Sequence, residues 1–202
     1  MTDRRRRDPV EQARAAAAAG VDLIQVRERD LDGRTLAALV RAVLSEVNAA
    51  GGRSAARVVV NDRVDIALAC GAHGVHLRSD SIDAAAVRTM APSGFLVGRS
   101  VHAPAAARSA GPVDYLVAGT VFRSASKDDR APLLGIEGLS AIVRASGAPV
   151  LAIGGITAER LTEIAASGAA GIAAIGLFAE AAPLAPVVAD LRARFDSVKT
   201  AP

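Results

Sequence analysis

Short runs of β-branched and aliphatic residues alternate with longer Ala/Leu-rich stretches along almost the whole chain. Apolar runs at residues 21–27, 57–61, 74–78, 95–100, 115–122, 150–154 and 171–178 predict strands. The stretches at residues 9–19, 35–49, 63–70, 82–90, 103–110, 136–145, 158–166 and 184–195 predict helices. Local punctuation supports the boundaries. Asp8-Pro9 supplies an N-cap and a first-turn proline, and Gly20 follows the alanine run as a stop. Leu36, Val40, Val43 and Val47 line one side of the second helix before Ala50-Gly51-Gly52 closes it. A strand followed by a helix, repeated, is the pattern of a parallel sheet with helices on its faces.

Seven strands leave a closed barrel one short, because closure takes eight and an open parallel edge leaves backbone groups unpaired. Residues 1–8 are all that precede the first helix, so the deficit lies there. The expected fold is a TIM-type (β/α)8 barrel, one domain over residues 1–202, with its first strand short or missing at a truncated amino terminus. An open doubly wound sheet fits the same alternation. The lack of G-x-G-x-x-G after the first strand and the polar residues closing most strands favour the barrel.

Composition narrows the function classes. Hydrophobic residues make up 51% and aromatics 2%, so the core is built from Ala, Val, Ile and Leu. The net charge is +3, with Arg4, Arg5, Arg6 and Arg7 in one run. A nucleic-acid binder pairs a basic stripe with stacking aromatics, whereas Trp is absent and Tyr115 is the only tyrosine, so no nucleic-acid partner is expected. The lone Cys70 excludes an internal disulfide and reads as a small core residue. The run Ala15 to Ala19 is too short for a signal peptide or a membrane span, which predicts a cytoplasmic protein with no membrane partner.

Parallel barrels carry their chemistry at the carboxyl ends of the strands. Gln25 and Arg27 share one face of the first run, and Arg29 lies just beyond. The two guanidiniums either converge on a diphosphate or form surface ion pairs with Glu28 and Asp30. Asn61 and Asp62 orient an amine or a hydrated Mg²⁺, unless Asp62 simply caps the next helix. Gly154, Gly155 and Gly176 suit a phosphate approached by backbone amides, or turn corners. The long polar connection from Phe122 to Gly135 reads as a lid in which Ser124, Ser126 and Lys127 bind a phosphate, or as a solvated loop. Ser100 and His102 close the fourth run, and His76 alternates with Val75 and Leu77. Neither of these histidines has a partner at metal-ligand spacing, and each is structural or catalytic; His73 reads as an exposed turn residue.

Five segments resemble, in order, the thiamine phosphate synthase and thiazole tautomerase (TenI-like) superfamily. They are Gln25-Val26-Arg27-Glu28-Arg29, Val60-Asn61-Asp62-Arg63-Val64-Asp65-Ile66-Ala67-Leu68, Gly74-Val75-His76-Leu77, Gly119-Thr120-Val121-Phe122 through Lys127, and Ala152-Ile153-Gly154-Gly155-Ile156. The resemblance runs from Thr2-Asp3-Arg4, like the tail of the family's first strand, to Phe178. Synthases of this family expel diphosphate from a pyrimidine diphosphate and let a thiazole phosphate nitrogen attack the resulting cation. The resemblance implies that Gln25, Arg27, Arg29 and Asn61 face the pyrimidine diphosphate, with Asp62 on Mg²⁺. It implies that Ser124, Ser126, Lys127, Gly155 and the backbone at Gly176 hold the thiazole phosphate.

Several positions depart from the pattern. The family's Gly-Gln-acid-Asp reads Arg78-Ser79-Asp80-Ser81 here, which puts Ser81 where a second magnesium carboxylate is expected. Arg29 replaces a lysine, and Thr120 and Arg123 replace prolines. The tautomerase branch aromatises a thiazole carboxylate phosphate by moving a proton and needs no metal. Arg27-Glu28-Arg29 and Gly98-Arg99-Ser100-Val101-His102 look closer to that branch, although its histidine reads as Thr120. Proton transfer then falls to His76, His102 or Asp62, or to the substrate and water. The lost carboxylate favours a TenI-like thiazole tautomerase without cofactor. The alternatives are a Mg²⁺-dependent thiamine phosphate synthase and a non-catalytic thiazole phosphate-binding barrel. The implied partners are a phosphorylated thiazole and, for the synthase, a pyrimidine diphosphate; a homo-oligomer stays open.

Overall fold

The computed structural model describes residues 1–50, 56–123 and 132–199. In chain order the elements are α1 (Pro9–Ala18), β1 (Leu23–Val26), α2 (Gly33–Ala49), β2 (Arg57–Asn61), α3 (Val64–Ala69), β3 (Gly74–Leu77), α4 (Ala84–Met90), β4 (Leu96–Val101), α5 (Pro104–Arg108), β5 (Tyr115–Gly119), α6 (Gly135–Ala145) and β6 (Val150–Ile153). A 3-10 turn at Ala158–Arg160 then leads into α7 (Leu161–Ala166), β7 (Gly171–Ala173), α8 (Gly176–Ala179) and α9 (Leu184–Lys199). The seven strands are ordered as in the sequence, β1 to β7. The ladders β1/β2, β2/β3, β4/β5, β5/β6 and β6/β7 are parallel. The α/β reading therefore holds. The eight-stranded closed barrel does not appear: among the described residues there is no eighth strand, and residues 1–8 contain none.

The chain forms two compact units, one of Met1–His76, Val87–Leu96 and Ile175–Ala189, the other of Leu77–Ala86, Val97–Ala174 and Asp190–Pro202. In the first unit, Asp8 caps α1 by accepting the N–H groups of Val10 and Glu11 at 2.9 Å, with Pro9 in the first turn. Helix α2 starts at Gly33 rather than Thr35 because Asp32 accepts the Thr35 N–H at 3.0 Å. Its buried stripe is the expected Leu36, Val40, Val43 and Val47 with Leu44 added. Strand β2 buries Val58, Val59 and Val60 together, so both of its faces are covered and no alternation remains. Where a preceding strand was expected, Thr2 donates its N–H to the Gln25 carbonyl at 2.9 Å. His73 is half-buried rather than an exposed turn residue, and its Nδ1 accepts the Val58 N–H at 3.0 Å. Cys70 is half-buried at the C-cap of α3 instead of deep in the core.

The second unit is packed around Leu116, Leu139, Ile142, Leu161 and Ile164, all fully buried and none aromatic. The run 115–122 ends as a strand at Gly119, although Val121 is fully buried beyond it. Apolar runs report burial, and here burial outlasts the ladder. The run 171–178 likewise stops at Ala173, and Gly176 opens α8, which lies in the first unit. The expected helix at 158–166 begins as the 3-10 turn. No helix among the described residues is long and apolar enough to cross a membrane.

Gly98 of β4 lies against the ring of Tyr115, its register partner on β5, and a Cβ on Gly98 would fall 2.1 Å from Tyr115 Cζ. Gly98→Ala is expected to destabilise the fold by about 1–3 kcal/mol through overpacking. Gly147→Ala, with nothing within 4 Å of the new methyl, is expected to stay within about 0.5 kcal/mol of the parent. Urea denaturation midpoints of the two variants check the contrast.

Candidate active site

In the first unit the sequence-singled residues gather at the carboxyl ends of β1, β2 and β3. Gln25 is buried on β1 opposite Val59, which places it on the same face as Asn61. Its Nε2 donates to Asn61 Oδ1 at 3.0 Å, so a side chain that would be costly to bury alone is paired. Beyond Asn61 the chain turns sharply. Asp62 has φ 63°, the only non-glycine at positive φ among the described residues, a conformation that costs an L-residue about 1–2 kcal/mol. Its N–H donates to the His76 carbonyl at 2.9 Å, and the Arg63 N–H donates to the Asn61 carbonyl at 2.8 Å. The N-cap of α3 falls on Arg63 without a side-chain cap bond, so Asp62 does not hold the capping position the sequence allowed it. His76 is 3% exposed, and burial pushes its pKa down to about 4 against a small opposing pull from Asp62. The imidazole is neutral near pH 7.

The two acids after β1 are held from the amino terminus. Glu28, itself buried, accepts the Thr2 hydroxyl at 2.8 Å and the Arg4 N–H at 3.2 and 3.3 Å. Asp30 is paired with Arg4, which holds its carboxyl below the usual range, and lies 3.9 Å from Arg5. Arg4 thus pairs with both acids that the sequence offered as alternative partners for Arg27 and Arg29. Arg27 is half-buried, with its N–H on Thr2 Oγ1 at 3.0 Å, and Arg29 is exposed. This network was missed in the sequence because its halves are about 26 residues apart; four arginines and two acids were the only signal. Gly176 opens α8 beside the Arg6–Glu180 ion pair, with a Cβ there 3.2 Å from Glu180 Oε1.

In the second unit, Ser100 is half-buried on β4 opposite Val117, and His102 is exposed just past the strand. His102 Nδ1 makes a short hydrogen bond with the Gly119 carbonyl oxygen. A carbonyl only accepts, so Nδ1 carries a proton and donates it. Thr120 follows, 5% exposed, with its methyl where a Cβ on Gly154 would lie, at 2.4 Å. A Cβ on Gly155 would lie 2.4 Å from the Arg123 carbonyl oxygen. The segment after β5 runs along this edge: Val121 and Phe122 donate their N–H groups to the Ile153 and Gly154 carbonyls at 2.9 and 3.0 Å. Glycine is therefore required at 154 and 155 for a neighbouring segment to approach, beyond the two roles read from the sequence. The Arg160 guanidinium stacks over Phe122 at 3.9 Å. Ser124, Ser126 and Lys127 lie outside the described residues.

The donor set does not fit a preformed Mg²⁺ site. Among the described residues no group of three or more His, Cys, Asp or Glu side chains is arranged to hold a metal ion. Asp62 is the one carboxylate at a position the resemblance assigns to the metal. Ser81 stands at the other, and its Oγ accepts the Arg78 N–H at 2.9 Å; Asp80, the neighbouring acid, is paired with Arg78.

Two measurements test this geometry. A free imidazole titrates near 6.5 and buried His76 near 4, so below pH 6.5 the unfolded chain binds a proton that the folded chain refuses. This residue leaves stability unchanged above pH 6.5 and lowers it by about 3 kcal/mol as pH falls from 6.5 to 4. Urea midpoints across that range check the sign, and His76→Gln is expected to remove this slope. For His102, nitrogen NMR of the imidazole is expected to show a proton on Nδ1; a ring protonated on Nε2 alone would remove the Gly119 bond.

Residues 1–178 match the family described as thiamine monophosphate synthase. A thiamine-phosphate synthase from Methanoculleus marisnigri is 39% identical over 189 residues, covering 93% of this chain and 88% of that protein. One from Methanoregula boonei is 38% identical over 195 residues, 96% and 88% of the two chains. The solved structure of thiamine phosphate pyrophosphorylase from Pyrococcus furiosus superposes with a TM-score of 0.84 at 32% identity, over 97% of this chain and 93% of that one. These names back the synthase, which the sequence placed second, over the tautomerase it placed first. With a family match over most of its length and relatives of this similarity, the chain belongs to the thiamine monophosphate synthase family, a family of thiamine biosynthesis.

Proposed function

We propose that this chain is a thiamine-phosphate synthase that joins a hydroxymethylpyrimidine diphosphate to a thiazole phosphate and releases diphosphate. In this reaction the pyrimidine methylene–oxygen bond breaks and its electron pair leaves with diphosphate. The thiazole nitrogen then supplies the pair for the new carbon–nitrogen bond. That nitrogen carries no hydrogen, so coupling requires no proton acceptor at the attacking atom. Tautomerisation requires a group that takes a proton and returns it. The observation that carries the choice is Thr120, a buried hydroxyl at the position of the tautomerase histidine, which has no useful basicity near neutral pH.

The proposed roles follow the chemistry of each side chain. The paired amides of Gln25 and Asn61 match the donor and acceptor edge of an aminopyrimidine. Arg27 and Arg29 stabilise the departing diphosphate by charge-assisted hydrogen bonds. Ser100, Thr120 and His102 line the pyrimidine and thiazole side, His102 orienting the peptide before Thr120 through the Gly119 carbonyl. Asp62 and His76 shape the end of β2 and β3, His76 as a neutral ring. Ser124, Ser126, Lys127 and the backbone at Gly154, Gly155 and Gly176 bind the thiazole phosphate.

Incubating the protein with both substrates is expected to yield thiamine phosphate and diphosphate. Aromatisation of the thiazole carboxylate phosphate, or binding with no product, would replace this reading with the tautomerase or the binder. Lys127→Ala is expected to weaken thiazole phosphate affinity by about 1–3 kcal/mol, the scale of a charge-assisted hydrogen bond. Calorimetric titration measures it, and unchanged affinity would take Lys127 out of the site.

A further inference from the structure

The loop after β3, residues 78–83, is tied together by its own groups. The Arg78 N–H donates to Ser81 Oγ at 2.9 Å, and the Ser81 N–H returns to the Arg78 carbonyl at 3.4 Å. The Arg78 guanidinium is paired with Asp80, with side-chain exposures of 42% and 64%, so solvent reaches both partners. A second guanidinium braces the loop from β4, where Arg99 Nη2 donates to the Ile82 carbonyl. Arg99 Nε is buried and has no hydrogen-bond partner among the described residues. The loop's other acid, Asp83, is exposed.

Two consequences follow from these bonds. Ser81, where the resemblance expects a metal carboxylate, is a neutral oxygen already accepting an N–H. Asp80 cannot serve as a metal ligand without leaving a guanidinium. The loop therefore presents cationic donors where a metal ligand is expected. An exposed Arg–Asp pair holds its members weakly, whereas a guanidinium fork matches phosphate oxygens bidentately and a diphosphate carries more negative charge than one carboxylate.

Resting on the synthase reading, we infer that this loop binds the diphosphate of the substrate directly through Arg78, which exchanges Asp80 for a phosphate group, and that the loop supplies no Mg²⁺ site. Asp80 holds the guanidinium in place until the anion arrives. Arg99, fixed to the same loop, keeps Arg78 at the end of β3.

Isothermal titration with inorganic pyrophosphate in EDTA tests the exchange. The wild-type protein is expected to bind pyrophosphate without metal. Arg78→Gln is expected to lose about tenfold in affinity, the size of one charge-assisted hydrogen bond. Asp80→Asn, which removes the competing carboxylate, is expected to bind at least as tightly as wild type. Magnesium chloride alone is expected to give no saturable heat at millimolar concentration. The inference is overturned if pyrophosphate binds only when Mg²⁺ is present, if Arg78→Gln binds as wild type does, if Asp80→Asn binds more weakly, or if Mg²⁺ binds the protein alone. Product formation by wild type is read separately. A protein that makes no thiamine phosphate yet loses pyrophosphate on Arg78→Gln keeps this inference and loses the synthase reading.

Discussion

Strands of a parallel sheet covered on both faces have no water to satisfy their backbone, so each N–H and C=O relies on a neighbouring strand. In β2 the three central valines are fully buried, and their peptide groups face β1 and β3 in register. This constraint drives polar side chains to the strand ends and sets terms for those that remain within. Gln25 remains within and is paired with Asn61. His76 also remains within and is neutral there, since a charged ring in that setting would be too costly.

At the strand ends guanidiniums stand beside carboxylates that are already paired. Arg27 and Arg29 follow β1 and Arg78 follows β3, while Glu28, Asp30 and Asp80 are each paired with an arginine. In the second unit the His102 ring is held by the Gly119 carbonyl.

The repeating unit was legible because apolar periodicity reports burial, and burial in a parallel sheet follows the elements closely. Strand β2 and the carboxyl ends of α2, α4 and α6 fall where the pattern puts them. Misjudged boundaries have local causes: Asp32 draws the start of α2 back to Gly33, and Val121 stays buried past the last rung of β5. Membership of the family could be read from the order of its motifs, but the branch could not. Loss of the carboxylate at Ser81 pointed to the tautomerase, whereas similarity across the chain lies with proteins named as synthases. The left-handed backbone at Asp62 had no sequence signal, because it is a dihedral angle, and the hold of Thr2 and Arg4 on Glu28 had only a cluster of arginines and acids, because it joins distant segments.

The residues beside β1 also bear on how the molecule behaves in company. A strand margin with open N–H and C=O groups is a template on which another chain's strand can zip up, the first step of edge-to-edge aggregation. Here the Gln25 carbonyl is engaged by the Thr2 N–H, and the Arg27 N–H by the Thr2 hydroxyl. One threonine thereby closes both a donor and an acceptor on that margin.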